Sequence, residues 1–312
     1  MKILSKKKRS VHFDQKWWLD DAVSLRYKHI YTDLWSSLNN LNFKKKTSPG
    51  IFNRAYFTCK YVIKNSKKGS NVLEMGCGLG FVSHILSKKG YRVKAFDISK
   101  EAINSAKIVA ENLSLNKDNF FIADENYLKK IKKNSLDVII GLGYFRYLNY
   151  NSQIKVYKEC KRVLKKNGIL ILDYQNELFE MFALNNKSIE YWANFIENYC
   201  DIKKMFKNGE LIKQLNRYVK TPVRKVEKHS ISGKTKVYSE NPITYEDKIN
   251  KLGFRLDELI YPLTEIIPPF LQKHVNLKQL EKIQDKNCLK LAKNWKSMFM
   301  SYKFLSCLSK KN

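Results

Sequence analysis

The residues best suited to binding a ligand are three glycines at alternating positions, Gly76, Gly78 and Gly80, directly after an apolar segment. Glycine adopts positive φ and has no side chain, so a ligand can lie against the bare backbone of such a loop. Dinucleotide-binding loops carry their third glycine where this chain has Phe81, which disfavours a pyrophosphate ligand. Glu74, just before the loop, also opposes a phosphate and suits a cationic ligand or an amino group.

Two acidic residues and a second glycine pair stand at comparable places further along the chain. Asp97 follows Gly76 by 21 residues, where a carboxylate can accept hydrogen bonds from both hydroxyls of a ribose. Asp124 comes after the next apolar segment and can accept from an adenine amino group, and 141–143 reads Gly-Leu-Gly. All of these positions follow predicted strands, so they should meet at the edge where α/β sheets bind ligands.

An alternation of strand and helix patterns positions these residues. The predicted strands are 71–75, 91–96, 120–123, 136–140 and 169–172, and the predicted helices are 81–89, 99–113 and 153–164. Ser99 is the predicted N-cap of the second helix. The segment 136–140 is apolar on both faces, as a central parallel strand is. This order predicts a parallel sheet with right-handed crossovers.

The motifs of this region together resemble the class I S-adenosylmethionine-dependent methyltransferases. The matching segments are Leu-Glu-x-Gly-Cys-Gly-x-Gly (73–80), Ala-Phe-Asp-Ile-Ser (95–99), Ala-Asp (123–124), Asp-Val-Ile-Ile-Gly-Leu-Gly (137–143) and the helix–turn–strand segment 159–172. The resemblance implies an α/β, Rossmann-like methyltransferase fold whose mostly parallel sheet has an antiparallel last strand. It also implies S-adenosyl-L-methionine as cofactor and S-adenosyl-L-homocysteine as product.

Carried onto this sequence, the resemblance implies one set of cofactor contacts at the sheet edge. The glycine loop cradles the methionine moiety, Glu74 supports the loop and approaches the amino group, and the remaining residues contact the ribose, the adenine and the path to the sulfonium. These residues are Gly76, Cys77, Gly78 and Gly80 in the loop, Asp97 at the ribose, Ile98, Asp124 and Glu125 at the adenine, and Gly141 and Leu142 beside the sulfonium.

The acceptor side departs from the family pattern, because Arg146 and Tyr147 stand where many members carry a Glu-His pair. The change removes a familiar base and adds a cation. We expect Arg146 or Tyr147 to hold an acceptor, with an anionic acceptor as one option and a solvated Arg146 as the alternative. Trp18 is a candidate lid over the substrate or else core packing. If the acceptor proton must leave early, a general base is needed, and the candidates are His12, His29, Tyr144 and Tyr147.

Composition limits the partners. The formal charge of +30 attracts polyanions, but lysine outnumbers arginine fifty to nine, and a compositional bias explains this equally well. Nucleic acid is therefore a less favoured partner than a small-molecule acceptor. The six cysteines form no C-x-x-C pair and the five histidines are dispersed, so we expect no metal and a reducing, cytoplasmic setting. No stretch approaches the ~18 apolar residues of a membrane helix.

Outside the central region the chain has further helical and strand-like patterns. The predicted helices are 16–41, 53–64, 177–199, 244–252 and 276–293, and the predicted strands are 211–219, 234–238, 254–260 and 298–307. With the resemblance, these patterns predict three parts: an N-terminal helical cap (1–65), the S-adenosylmethionine-binding core (66–175), and a substrate-recognition insertion with the closing strands of the sheet (176–312).

Three functions fit these observations. We favour methyl transfer by in-line displacement to an oxygen or nitrogen of a small molecule, such as a sugar or another anionic biosynthetic metabolite. An RNA or protein methyltransferase that uses the basic surface is the first alternative. A non-catalytic S-adenosylmethionine-binding scaffold is the second, although the intact glycine loop and both acids argue against it.

Overall fold

The computed structural model describes residues 49–183, 188, 213, 238–267 and 275–311. His12, Trp18 and His29 lie outside the described residues, as do the predicted helix over 16–41 and nearly all of the predicted strands over 211–219 and 234–238. The sequence predictions for the central region all fall within the described residues.

One eight-stranded sheet organises the described residues. Its strands are β1 (Asn71–Met75), β2 (Arg92–Asp97), β3 (Phe120–Ile122), β4 (Leu136–Gly141), β5 (Leu164–Asn176), β6 (Ser239–Glu240), β7 (Phe254–Ile260) and β8 (Lys303–Lys310). Strands β3, β2, β1, β4 and β5 are parallel neighbours in that order, and β8 lies antiparallel between β5 and β7. The short β6 pairs with the end of β5. The predicted Rossmann-like sheet with antiparallel closure is confirmed.

Helices cover both faces of the sheet. They are α1 (Pro49–Asn65), α2 (Phe81–Lys88), α3 (Lys100–Asn112), α4 (Tyr150–Val163), α5 (Glu177–Ala183), α6 (Tyr245–Lys251), α7 (Leu277–Leu291) and α8 (Ser297–Met300). Helices α1 and α2 pack on one face, and α4 and α6 pack on the other. Among the described residues, no helix has the length and apolarity needed to cross a bilayer.

Successive residues of the central strands point to opposite faces of the sheet. In β4, Val138 and Ile140 lie in the core beneath α1 and α2, whereas Ile139 lies in the core beneath α4 and α6. All three are fully buried, so the predicted strand with two apolar faces is confirmed. Because β1 to β5 are parallel, their carboxyl ends meet at one edge, which we call the carboxyl edge.

Strand β5 is longer than predicted at both ends. The prediction covered 169–172, but pairing with β4 begins at Leu164 and pairing with β8 continues to Gln175. The expected turn over 165–168 is a bulge inside the strand, where Asn167 has a φ of +58°. The extension carries Asp173 and Asn176, two fully buried polar residues, to the carboxyl edge.

Two boundaries outside the central region also differ from prediction. Pro49 and Gly50, expected in a loop, begin α1, and proline is well suited to the first turn of a helix. The last strand begins at Lys303 instead of 298, because 297–300 form the helix α8. Helix α1 packs into the sheet through Ala55, Cys59 and Val62, which brings its neighbour Arg54 to the carboxyl edge.

Candidate active site

The loop after β1 is so tightly packed that Gly76 and Gly80 have no room for side chains. Gly76 has a φ of +65°, and a Cβ there would lie 2.8 Å from Cδ2 of Tyr144. Gly80 has a φ of +75°, and a Cβ there would lie 2.7 Å from Cε1 of Phe120. Backbone conformation and close contact therefore both require glycine at these positions. The loop presents its backbone at the carboxyl edge.

Asp97 joins this loop to the start of α3. Its Oδ2 accepts a hydrogen bond from the Gly78 N–H at 2.9 Å, and its Oδ1 accepts one from the Ser99 N–H at 2.9 Å. Ser99 Oγ in turn accepts from the Ala102 N–H at 3.1 Å, which confirms the predicted N-cap. Burial raises the pKa of Asp97, while its backbone hydrogen bonds oppose the rise. The carboxylate holds loop and helix in a fixed relation.

Glu74 lies beneath the loop and is almost completely buried. Its Oε2 accepts hydrogen bonds from the Ser83 N–H at 3.0 Å and from the Ser83 hydroxyl at 2.5 Å. Burial raises the pKa of Glu74 to about 7, although both hydrogen bonds from Ser83 oppose the rise. Because Ser83 lies in the first turn of α2, Glu74 supports the loop from inside the core. Its approach to an amino group stays a prediction.

The loop after β4 contacts the loops after β1 and β3 through one side chain. The ring of Tyr144 lies against Gly76, and its hydroxyl donates to Oε2 of Glu125 at 3.2 Å. Asp124, beside Glu125, accepts from the Asn126 N–H at 3.0 Å and so begins the short 3-10 helix over 125–130. Tyr144, a predicted base, thus has both its ring and its hydroxyl engaged by other loops.

The other predicted cofactor residues lie at the same edge. The Cys77 N–H donates to the carbonyl oxygen of Phe96 at 3.0 Å. Gly141 is buried, and Ile98 and Leu142 are half-buried. The structure therefore brings together every predicted cofactor residue, from β1 to the end of β4. The contacts that they make with the cofactor stay predictions.

Arg146 and Tyr147 lie in the short 3-10 helix that follows Tyr144. The guanidinium carbon of Arg146 is 4.8 Å from the centroid of the Tyr147 ring, close enough for a cation–π interaction. The Arg146 carbonyl oxygen accepts from the Tyr238 N–H at 2.8 Å, which holds this turn against the residue preceding β6. Arg146 is half-buried, and its contact with an acceptor stays a prediction.

A buried charge cluster beside this turn is absent from the sequence predictions. Asp173 is fully buried in β5, and its Oδ2 binds Arg54 Nη1 at 2.8 Å and Lys303 Nζ at 2.9 Å. Its Oδ1 accepts from the Gly143 N–H, one residue before Tyr144. The Asp173 cluster, as we call Arg54, Gly143, Asp173 and Lys303, therefore ties α1, the β4 loop, β5 and β8 together.

The cluster has unusual electrostatics because it is buried. Burial on its own would raise the pKa of Asp173, but the charges of Lys303 and Arg54 hold it well below its ordinary value. Burial, followed by the charge of Arg54, lowers the pKa of Lys303 to about 7, although Asp173 opposes this shift. The charge of Arg146 contributes to the lowering, so Arg146 lies within electrostatic reach of the cluster.

Comparisons with known proteins agree with this architecture. A family model described as a methyltransferase domain matches residues 66–240. The ubiquinone biosynthesis O-methyltransferase of Pelagibacter ubique (strain HTCC1062) is 31% identical over 147 residues, which are 46% of this chain and 59% of that protein. The protein of the same name from Histophilus somni (strain 2336) is 26% identical over 152 residues, 47% of this chain and 63% of that protein. The chain thus spans about three fifths of these curated relatives.

Among solved structures, magnesium protoporphyrin IX methyltransferase from Synechocystis PCC 6803 has a TM-score of 0.48 and 12% identity, over 90% of this chain and 94% of that chain. The family match covers more than half of the chain. The protein therefore belongs to the methyltransferase domain family, and the resemblance to the class I S-adenosylmethionine-dependent methyltransferases is confirmed.

Proposed function

We propose that this methyltransferase acts on an oxygen or nitrogen of a small-molecule acceptor held at the carboxyl edge beside β4, β5 and β8. The observation that carries the proposal is the buried Asp173 cluster, which holds α1, the β4 loop, β5 and β8 together next to the glycine loop. Small-molecule sites are largely preformed in this way and have a few precisely placed polar groups. The names of the two curated relatives, both O-methyltransferases, favour oxygen as the acceptor atom.

We infer that the cofactor is held by the residues that the resemblance implies, and the structure offers a physical fit. S-adenosylmethionine supplies an activated methyl group on its sulfonium. Gly76 and Gly78 offer backbone without a side chain, and a Cβ at Gly76 would collide with the ring of Tyr144. The Asp97 carboxylate has about four acceptor positions, of which the Gly78 and Ser99 N–H groups take two. A position is left for a ribose hydroxyl.

The chain contributes mainly by positioning. Methyl transfer needs the acceptor atom in line with the bond that breaks, and holding two reactants in place lowers the barrier substantially. Asp173 fixes Gly143, and the next residue, Tyr144, packs on Gly76. The Asp173 cluster and the glycine loop are therefore connected through two neighbouring residues, Gly143 and Tyr144. If the acceptor is a hydroxyl, Tyr147 and His12 are the candidates to receive its proton. Tyr144 is a weaker candidate, because its hydroxyl already donates to Glu125.

We also propose that both flanking parts of the chain contribute to acceptor binding. Helix α1, from the N-terminal cap, supplies Arg54, and β8, from the segment after 175, supplies Lys303. Arg146 and Tyr147 come from the core between them. This arrangement supports an acceptor site made where the predicted cap, core and insertion meet, with Trp18 as a further candidate from the cap.

The experiment has two stages. Thermal unfolding with S-adenosylhomocysteine should show stabilisation of about 2.7 kcal/mol at 100 times its dissociation constant, and Asp97→Ala should abolish it. The protein is then given S-adenosylmethionine with a tritiated methyl group and cell extract separated into a low-molecular-weight filtrate, RNA and protein. Label in the filtrate supports the proposal. Label only in RNA or only in protein would replace it with a macromolecular acceptor.

A further inference from the structure

Arg146 has an unusual combination of fixed position and unmet hydrogen-bonding capacity. Its guanidinium stacks on Tyr147 at 4.8 Å, and its Nε is buried. Within the part of the chain that the structure describes, no group accepts a hydrogen bond from this Nε. A buried donor without an acceptor is costly, so the position favours a ligand that brings an acceptor oxygen.

The charges around Arg146 also favour an anion. Arg54 and Lys303 share the single carboxylate of Asp173, and Glu180 supplies the next acidic group, which accepts from Gln175 Nε2 at 3.2 Å. Arg146 and Arg54 both disfavour the protonated form of Lys303, which lowers its pKa. The charges of Arg146, Arg54, Glu180 and Asp173 all reach Tyr302, and Lys303 adds a third basic side chain beside Asp173.

Arginine is the appropriate cation for this purpose. Its planar guanidinium presents donors in a fork that matches the oxygens of a carboxylate or phosphate, whereas lysine acts as a point charge. The chain has only nine arginines against fifty lysines, yet two of the nine, Arg54 and Arg146, lie at this corner of the carboxyl edge. A general lysine bias does not account for that placement.

We propose that Arg146 binds an oxyanion group, a carboxylate or phosphate, that is carried by the methyl acceptor, with Arg54 and Lys303 supplying the surrounding positive potential. The inference rests on the proposed function, because it names the class of acceptor for the same site. Tyr147 holds the guanidinium of Arg146 in place. The ion pairs with Asp173 hold Arg54 and Lys303 in position, so that these two residues do not bind the anion directly.

The decisive experiment is NMR of the arginine Nε–H groups in the full chain saturated with S-adenosylhomocysteine. Inorganic phosphate and, separately, benzoate are titrated at constant ionic strength. The Arg146 resonance, assigned from its loss in Arg146→Gln, should shift and saturate with at least one of the two anions. A resonance that does not move with either anion overturns the proposal, and the titration itself is carried out on the wild-type protein.

The variants provide a second, independent readout. Thermal stabilisation by the effective anion should have an apparent dissociation constant at least about tenfold weaker in Arg146→Gln. Arg255→Gln is the matched control, because Arg255 is exposed and lies at the opposite end of the sheet. Equal stabilisation of wild type and Arg146→Gln overturns the proposal. Stabilisation by S-adenosylhomocysteine is measured alongside, so its failure in wild type would count against the proposed function and not against the anion site.

Discussion

The ring of Tyr144 packs directly on Gly76, so the loop after β4 rests on the loop after β1. A Cβ on Gly76 would lie 2.8 Å from Cδ2 of Tyr144, and the φ of +65° is itself unfavourable for any side chain. Gly76→Ala should therefore displace Tyr144 and weaken S-adenosylhomocysteine binding at least about tenfold. The loss of unfolding free energy should be about 1–3 kcal/mol. Calorimetry measures the first effect and urea unfolding the second.

Gly69 provides the control for this substitution. It also has a positive φ, +81°, but a Cβ there would meet no atom within 4 Å. Gly69→Ala should therefore lose about 1 kcal/mol of stability through backbone strain and keep its affinity for S-adenosylhomocysteine. Equal losses of affinity in the two variants would mean that strain, and not the Tyr144 contact, explains the effect.

The hydroxyl of Tyr144 is engaged by Glu125 at 3.2 Å, which argues for a positioning role instead of proton transfer. Tyr144→Phe should keep the ring on Gly76 and lose about 1 kcal/mol of cofactor binding at most. Its kcat, once an acceptor is identified, should stay within about threefold of wild type. Tyr147→Phe is assayed in parallel. A kcat loss of a hundredfold or more in Tyr144→Phe, largest at high pH where a wild-type base is deprotonated, would make Tyr144 the base.

The residues of the predicted cofactor site are easier to find in the sequence than those of the Asp173 cluster. Gly76, Asp97 and Asp124 can be found in the sequence because each comes directly after an apolar segment. Parallel strands bring all such positions to one edge of the sheet. The apolar residues of 136–140 are enough to predict a buried strand. Each of these patterns can be recognised within a few residues of sequence. The parallel order of the strands then places the residues at one common site.

Asp173 itself shows why the cluster is harder to find. The apolar pattern of β5 ends at Leu172, so nothing local indicates that the strand continues and keeps Asp173 fully buried. Its partners, Arg54 and Lys303, are separated from it by 119 and 130 residues. In the sequence, nothing distinguishes them from the many other basic residues. Only the packing of α1 and β8 beside β5 brings them to Asp173.

Glu74 gives the folded protein a measurable pH dependence. Its pKa of about 7, against an ordinary value of 4.5, means that the folded state binds more protons than the unfolded state between these values. The unfolding free energy contributed by Glu74 therefore falls as the pH rises from 4.5 to 7. Glu74→Gln removes this contribution and keeps an acceptor for Ser83. Over that window the variant should gain about 2–3 kcal/mol relative to wild type.

Urea unfolding at several pH values between 4.5 and 7.5 tests this expectation. Glu246→Gln, at an exposed position in the first turn of α6, supplies the baseline for a carboxylate in contact with solvent. The two variants should diverge as the pH rises. Parallel curves for Glu74→Gln and wild type would show that Glu74 is already ionised at the lower end of the window.

Asp173→Asn should cause the largest loss of stability, because it leaves Arg54 and the buried Lys303 without their shared counter-ion. Breaking a buried pair by removing one partner costs about 3–5 kcal/mol. Adding Lys303→Met to this variant should recover part of the loss, because it removes the uncompensated charge at similar volume. Urea unfolding at pH 7 measures both variants.

The half-exposed pair of Asp137 and Lys165 is the matched control, with Nζ and Oδ1 also 2.8 Å apart. Lys165→Met should cost about 1 kcal/mol at most, since solvent screens that pair. If Asp173→Asn loses no more unfolding free energy than Lys165→Met, the Asp173 cluster is hydrated and does not hold its elements in fixed positions. If Lys303→Met deepens the loss caused by Asp173→Asn, the packing of the Lys303 side chain, and not its charge, is what β8 contributes to the site.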